Sequence, residues 1–481
     1  ACPLPSVPTF CRWRSPSGND LLLVYQKDYG EDEVLPDGKT VVSINFTGDN
    51  HGPHSYERVK KIYADLRKRY PQAQLVGASF NDVARELLLI KKDLPVVTSE
   101  IGDTWIFGYG GAPIRMAKFR AVSRLYSQWL NEGKIKKDSD VALDFAAELG
   151  LIAEHTQGVD VKTHLRQWDK YDMDKFLKGR SEGVFSMAEA SWKEIDNYID
   201  SAIAFLPASL QKEAREVVAE VDKVKLEDNS KMKPMARKRW EQPIAGGMTL
   251  AGLSYQMFDG DDYDDFQNRY LRARYEWALD DLGKRGLKES HAVSVTLYAQ
   301  TMAQSVRKEK KGTRIITELR FPENEKVDKR VYPERIQVNC FTTKNGKRSE
   351  VALTVYGKPA VRLPESYWLS FTVPGIESVI AEKMGERVNL MDVVEKGNRQ
   401  MHGIDRYVDL ITSGETIRTS SKEAFLLNVG EAQGLNYSTN YPDKRKGVHF
   451  NLNNNLWGTN FSMWNEGSLT YHFVIETLSR K

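Results

Sequence analysis

Three short stretches carry residue types whose chemistry could make a site. Gly48-Asp49-Asn50-His51-Gly52-Pro53 places a carboxylate, an amide and an imidazole side by side, after an aliphatic run and before a helix signal. In an α/β barrel, polar groups at a strand's carboxyl end are where catalysis is built. The same residues also suit a plain βα turn, chosen for backbone geometry. Thr98-Ser99-Glu100-Ile101-Gly102-Asp103-Thr104-Trp105 sets two carboxylates three apart beside an indole. Carboxylates grip hydroxyls and an aromatic ring stacks on the C–H face of a sugar, although a helix start with a buried Trp has the same pattern. Ala153-Glu154-His155-Thr156-Gln157-Gly158 offers an imidazole at a break in a helical region. One His is a zinc ligand but not a zinc site, which needs about three protein ligands. No His-x-Asp, His-x-His or His-x-x-x-His pair completes it, so the residues by themselves favour a structural or surface His155.

The elements that would hold these groups fall into three regions. Residues 1–108 read as alternating β and α, with strand-type runs at 21–26, 41–46, 74–78 and 94–98. Helices there are expected from Ser55 as N-cap to about 69, and over 81–90. Residues 109–312 turn helical, with apolar periodicity over 115–130, 141–149, 187–205, 207–221 and 263–285. The basic connection 226–241, including the run 235–240, reads as a solvated face. Five carboxylates within 259–265 lack the alternating ligands of a calcium loop and suit a helix start. Residues 313–481 read as β, with strands at 314–320, 334–342, 350–355, 368–373 and 471–475 and a hairpin at Asn345-Gly346. Many short strands suggest a β-sandwich. The polar, aromatic run 453–464 could line a cleft but reads better as packing.

Composition bounds the rest. The 481 residues are 28% charged, and 69 basic against 66 acidic side chains leave +3. That balance gives no basic stripe for nucleic acid. No apolar run approaches the roughly 18 residues of a membrane span. Cys2, Cys11 and Cys340 cannot make a disulfide framework, and nothing supports a Cys2–Cys11 bridge. Gly108-Tyr109-Gly110-Gly111 does not complete a dinucleotide fingerprint, and neither a phosphate loop nor a Gly-x-Ser-x-Gly elbow is present. The chain reads as water-soluble and multi-domain. It begins without Met or a signal-type segment, so neither localisation nor oligomeric state is legible.

Taken together, Gly48 to Pro53, Glu100-Ile101-Gly102-Asp103-Thr104-Trp105, Glu154 to Asp160, and Asn454-Asn455-Leu456-Trp457-Gly458-Thr459-Asn460-Phe461 resemble the bacterial domain-of-unknown-function 5054 family. That family is distantly similar to family-38 glycoside hydrolases, the α-mannosidases. The resemblance implies a (β/α)7-type barrel, here partial, leading into a helical bundle and a carboxyl-terminal β-sandwich. It implies zinc-assisted, retaining hydrolysis of glycosides, with Asp49 as general acid/base. Asn50, His51, Asp103 and Trp105 would bind substrate, and His155 would be a zinc ligand. The first half of such a barrel carries the His-x-Asp pair and the nucleophile, and this sequence has no His-x-Asp. The resemblance therefore implies the carboxyl-terminal portion of a longer enzyme, inactive alone. A carbohydrate-binding protein that has lost its metal is the alternative.

Overall fold

The computed structural model describes residues 3–48, 51–103, 105–235, 240–458 and 460–478. They form two units, one of residues 4–101 with Asp392–Gly397, the other of residues 102–391 with 398–478 and Pro3.

In the smaller unit the sheet is centred on Phe10–Arg14, a strand the sequence reading did not find. It pairs antiparallel with Asp20–Val24 and parallel with Val96–Val97. The expected strand at 41–46 shortens to Val41–Ser43, which forms an antiparallel hairpin with Asp32–Val34. The expected strand at 74–78 does not form; Val76 is exposed and its segment has no ladder partner. Phe10, Leu35, Val42, Leu87 and Leu94 make the small core. Helix Tyr56–Arg69 begins at the expected cap, the Ser55 hydroxyl accepting from the Arg58 amide at 3.2 Å. It buries no residue. The segment 392–397 is tied in by a bridge from Val393 to Glu100 and by the Ser99 hydroxyl donating to Asp392 at 2.5 Å.

In the larger unit, helices Pro113–Asn131, Asp140–Gly150, Ser186–Ala204 and Ala208–Asp222 lie within two residues of the periodic stretches. Their apolar stripes converge on Val122, Trp129, Phe145, Ile199, Ile203 and Leu210. The stretch 263–285 divides into Gly260–Tyr270 and Glu276–Asp281. Asp259 caps the first of these, accepting from the Asp261 and Asp262 amides at 3.0 and 3.1 Å, so the acidic run is a helix start.

Strand formation in this unit begins well before residue 313. Thr249–Met257 pairs with Glu365–Thr372 in a seven-stranded antiparallel sheet that also holds Val448–Asn454. A ten-stranded antiparallel sheet runs from Glu386–Asn389 to Lys233–Pro234, with Gly467–Leu478 between Thr416–Ser421 and Arg348–Lys358. The two sheets share one core. Phe371 and Phe450 of the first meet Phe473 of the second, with ring centroids 5.5 and 5.1 Å apart. The hairpin Asn345-Gly346 joins Arg335–Thr343 to Arg348–Lys358, with Gly346 at φ +66°. Of the basic run 235–240, Trp240 is buried, while 236–239 and Cys2 lie outside the described residues. Cys11 and Cys340 are buried free thiols. No helix among the described residues is long and apolar enough to cross a membrane.

Candidate functional site

The run Trp105–Gly111 is a 3-10 segment laid across the seven-stranded sheet. It reaches the sheet because it is glycine-rich. A Cβ on Gly108 would sit 2.2 Å from the Phe461 ring, and one on Gly110 would sit 2.2 Å from Asn454 Nδ2. That close approach explains the Gly-Tyr-Gly-Gly motif without any nucleotide. Phe107 then packs on Trp368, and its carbonyl accepts from Asn454 Nδ2 at 2.9 Å.

This docking brings Asp103 and Trp105 into one aromatic cluster. Asp103 Oδ1 accepts from the Tyr270 hydroxyl at 2.9 Å. The Tyr270 ring stacks on Phe266 at 5.2 Å and meets the edges of Tyr437 and Trp457. Trp105 lies 5.2 Å from Trp457 and 6.2 Å from Phe461. Its indole N–H is buried without a hydrogen-bond partner among the described residues. A phenol-held carboxylate beside paired indoles can take a hydroxyl and an apolar ring face together. Tyr270 and Phe266 were not found from the sequence, because they lie about 165 residues from Asp103; the acidic helix start next to them was the only local signal. The 453–464 run supplies Trp457 and Phe461 from the interior: Asn453, Asn454, Asn455, Trp457, Phe461 and Trp464 are all buried.

His155 sits on a loop that is rigidly held although the ring is exposed. Gln157 is buried, donating to the Ile152 and Glu154 carbonyls at 2.8 and 2.9 Å and accepting from Arg115 at 2.8 Å. Its amide donates to the Asn460 carbonyl at 2.6 Å. Tyr109 donates to the Ala153 carbonyl at 2.6 Å, and burial, then the Glu154 carboxylate, push this phenol up to about 12, so it remains a donor. Glu154 bonds His155 Nδ1 and accepts from the Thr156 amide at 2.6 Å. Burial raises the Glu154 carboxyl, but these contacts outweigh it and hold the group below its ordinary range. Among the described residues no three His, Cys, Asp or Glu side chains are grouped to hold a metal ion. One exposed imidazole, with Nδ1 already engaged by Glu154, does not fit a zinc site by itself.

The other candidates belong to the smaller unit. His51 is exposed, in the irregular stretch between the hairpin strand Val41–Ser43 and helix Tyr56–Arg69. Its neighbour His54 bonds the Asn45 carbonyl through Nε2 at 3.0 Å. Asp49 and Asn50 lie outside the described residues. Asp103, Trp105 and His155 belong to the larger unit.

Comparison with known proteins bears on this arrangement. The family model described as a domain of unknown function (DUF5054) matches residues 110–244. No curated protein matches the chain. Among solved structures, an α-mannosidase from Enterococcus faecalis V583 is similar with a TM-score of 0.50 at 8% identity, over 98% of this chain and 69% of that one. A glycosyl hydrolase family 38 protein from Enterococcus faecalis has a TM-score of 0.42 at 8% identity and the same coverage. At such identity the likeness is one of fold. The model of the domain of unknown function 5054 thus matches residues 110–244 of a chain whose mixed α/β fold is similar to that of a solved α-mannosidase.

Proposed function

We propose that this chain is glycoside-hydrolase-like and acts on carbohydrate, as part of an α-mannosidase-like retaining glycosidase. The observation that carries the reading is the fold similarity to an α-mannosidase over 98% of the chain. In a retaining glycosidase two carboxyl groups about 5–5.5 Å apart flank the scissile bond. One attacks the anomeric carbon while the other protonates the leaving oxygen, then deprotonates the incoming water. Asp49 is assigned the acid/base role, with Asn50 and His51 beside it as substrate contacts. Asp103 and Trp105 are assigned to the sugar: Tyr270 holds the carboxylate to receive hydroxyls, and Trp105, backed by the buried Trp457, offers the ring face. A metal-dependent form of this reading requires ligands beyond His155.

The lone, Glu154-bonded imidazole favours a second reading, in which the chain binds carbohydrate without cleaving it. Two measurements separate them. The purified chain is assayed with an aryl α-mannoside in zinc-, manganese- or cobalt-containing buffer, and turnover by these residues alone would overturn the assignment of only one catalytic carboxylate to them. The product of the full open reading frame is then assayed as wild type and as Asp49→Asn. Loss of turnover on a substrate with a poor leaving group supports the acid/base role, and unchanged turnover removes Asp49 from the mechanism. Tyr270→Phe should weaken sugar binding about tenfold, the worth of a hydrogen bond that orients a charged acceptor; unchanged affinity would remove Asp103 from the sugar contact.

A further inference from the structure

A cleft of about 490 Å³ opens in the larger unit where the amino-terminal end of helix Pro113–Asn131 meets helix Ser186–Ala204 and the segment 462–466. Its size is that of a small-ligand site. None of the sugar contacts assigned above lines it.

Its polar wall is charged but internally neutralised. Arg115 donates to Asp196 at 2.6 Å and to the Trp192 carbonyl at 2.8 Å. Arg180 forks onto both oxygens of Glu466, at 2.7 and 3.1 Å, and reaches Glu189 at 2.8 Å. Glu189 also accepts from the Trp464 indole at 3.1 Å. Every one of these carboxylates is thus paired with an arginine, so the cleft presents oriented acceptors without a net field to attract an ion. Asp196 and Glu466 nonetheless keep 44% and 52% of their side-chain surface open, leaving lone pairs for a ligand.

A side-chain amide also lines the cleft. Asn197, exposed on the helix, supplies that amide. Asn465 is fixed at the cleft by Lys358, which donates to its backbone carbonyl at 3.0 Å. Apolar side chains complete the lining: Pro113, Ile114, Trp192, Ile199 and Val218. Paired carboxylates, an exposed amide and apolar side chains in one cleft match a molecule with hydroxyls on its rim and C–H groups on its face. A phosphate would meet the carboxylates, and an amine would meet Arg115, Arg180 and Lys193. We propose that this cleft is a second ligand site, taking a neutral polyhydroxylated molecule of one or two sugar rings.

The test is methyl NMR on the whole chain, reading Ile114, Ile199 and Val218 while methyl α-mannopyranoside or maltose is added. Saturable shifts at these methyls, weaker for glucuronate and glucosamine, are expected. Asn197→Ala, a change on an exposed helix face, should weaken the affinity about tenfold, the worth of one hydrogen bond to a hydroxyl. Trp105→Ala should leave these shifts intact, which separates this cleft from the Asp103–Trp105 cluster. Methyls that do not move at tens of millimolar sugar would overturn the proposal. So would equal or stronger response to the charged sugars or to a neutral tripeptide.

Discussion

Lys284 offers the sharpest test of the packing that carries Trp457. Its ammonium is enclosed, donating to the Trp457 carbonyl at 3.3 Å and to Met463 Sδ at 3.1 Å. It borders a cavity of about 10 Å³ shared with Tyr171, Asp280, Arg285 and Arg362. Asp280 is paired with Arg285 at 3.4 Å. Burial, then the Arg362 charge, lower the Lys284 ammonium to about 7. The unfolded chain holds its proton up to about 10.4, so between these values the unfolded state binds more protons. Stability must therefore rise with pH across that window, as the cost of the buried charge is relieved. One pH unit is worth about 1.4 kcal/mol. From pH 6.5 to 9 the Lys284 contribution amounts to roughly 2.5 kcal/mol. Lys284→Met keeps the length of the side chain and removes the titration. Urea midpoints of both proteins, followed by tryptophan fluorescence at several pH values in that range, isolate it, since every other group titrates equally in the two. The wild type should gain roughly 2.5 kcal/mol relative to Lys284→Met over the interval. Parallel stability curves would refute the reasoning and mean that Lys284 is solvated.

Two further outcomes follow from the same larger unit. Burial lowers His449 to about 4, with its Nδ1 on Ser370 at 2.8 Å; stability should fall as pH drops from about 6.5 to 4, by roughly 3 kcal/mol in total, and His449→Gln should flatten that limb in a urea series. Gly108→Ala drives a methyl into Phe461 and Trp457 and should cost about 1–3 kcal/mol, while Gly133→Ala, in open space but at φ +69°, should cost only backbone strain of about 1 kcal/mol; equal costs, read by thermal unfolding, would mean that the 105–111 segment does not press on the sheet.

What the sequence by itself determined is local. Ser55 and Asp259 cap helices because their side chains reach amides two or three residues on, and Asn345-Gly346 turns because glycine accepts positive φ. The apolar period of 115–130 and 187–205 returned helices for the same reason: the pattern and its consequence lie within a few turns. Residues 74–78 had strand composition but found no ladder partner among the described residues, while Phe10–Arg14 pairs with nearby Asp20–Val24 and gains Val96 and Val97, more than eighty residues away, on its other edge. Of the site, the sequence could nominate Asp103, Trp105 and His155 by type. Only the tertiary structure joined Asp103 to Tyr270 and Trp105 to Trp457, and among the described residues it brought no set of metal ligands to His155. Capping and periodicity are decided by neighbours along the chain. Pairing and packing are decided by which distant surfaces bury best against each other, and no local pattern records that choice.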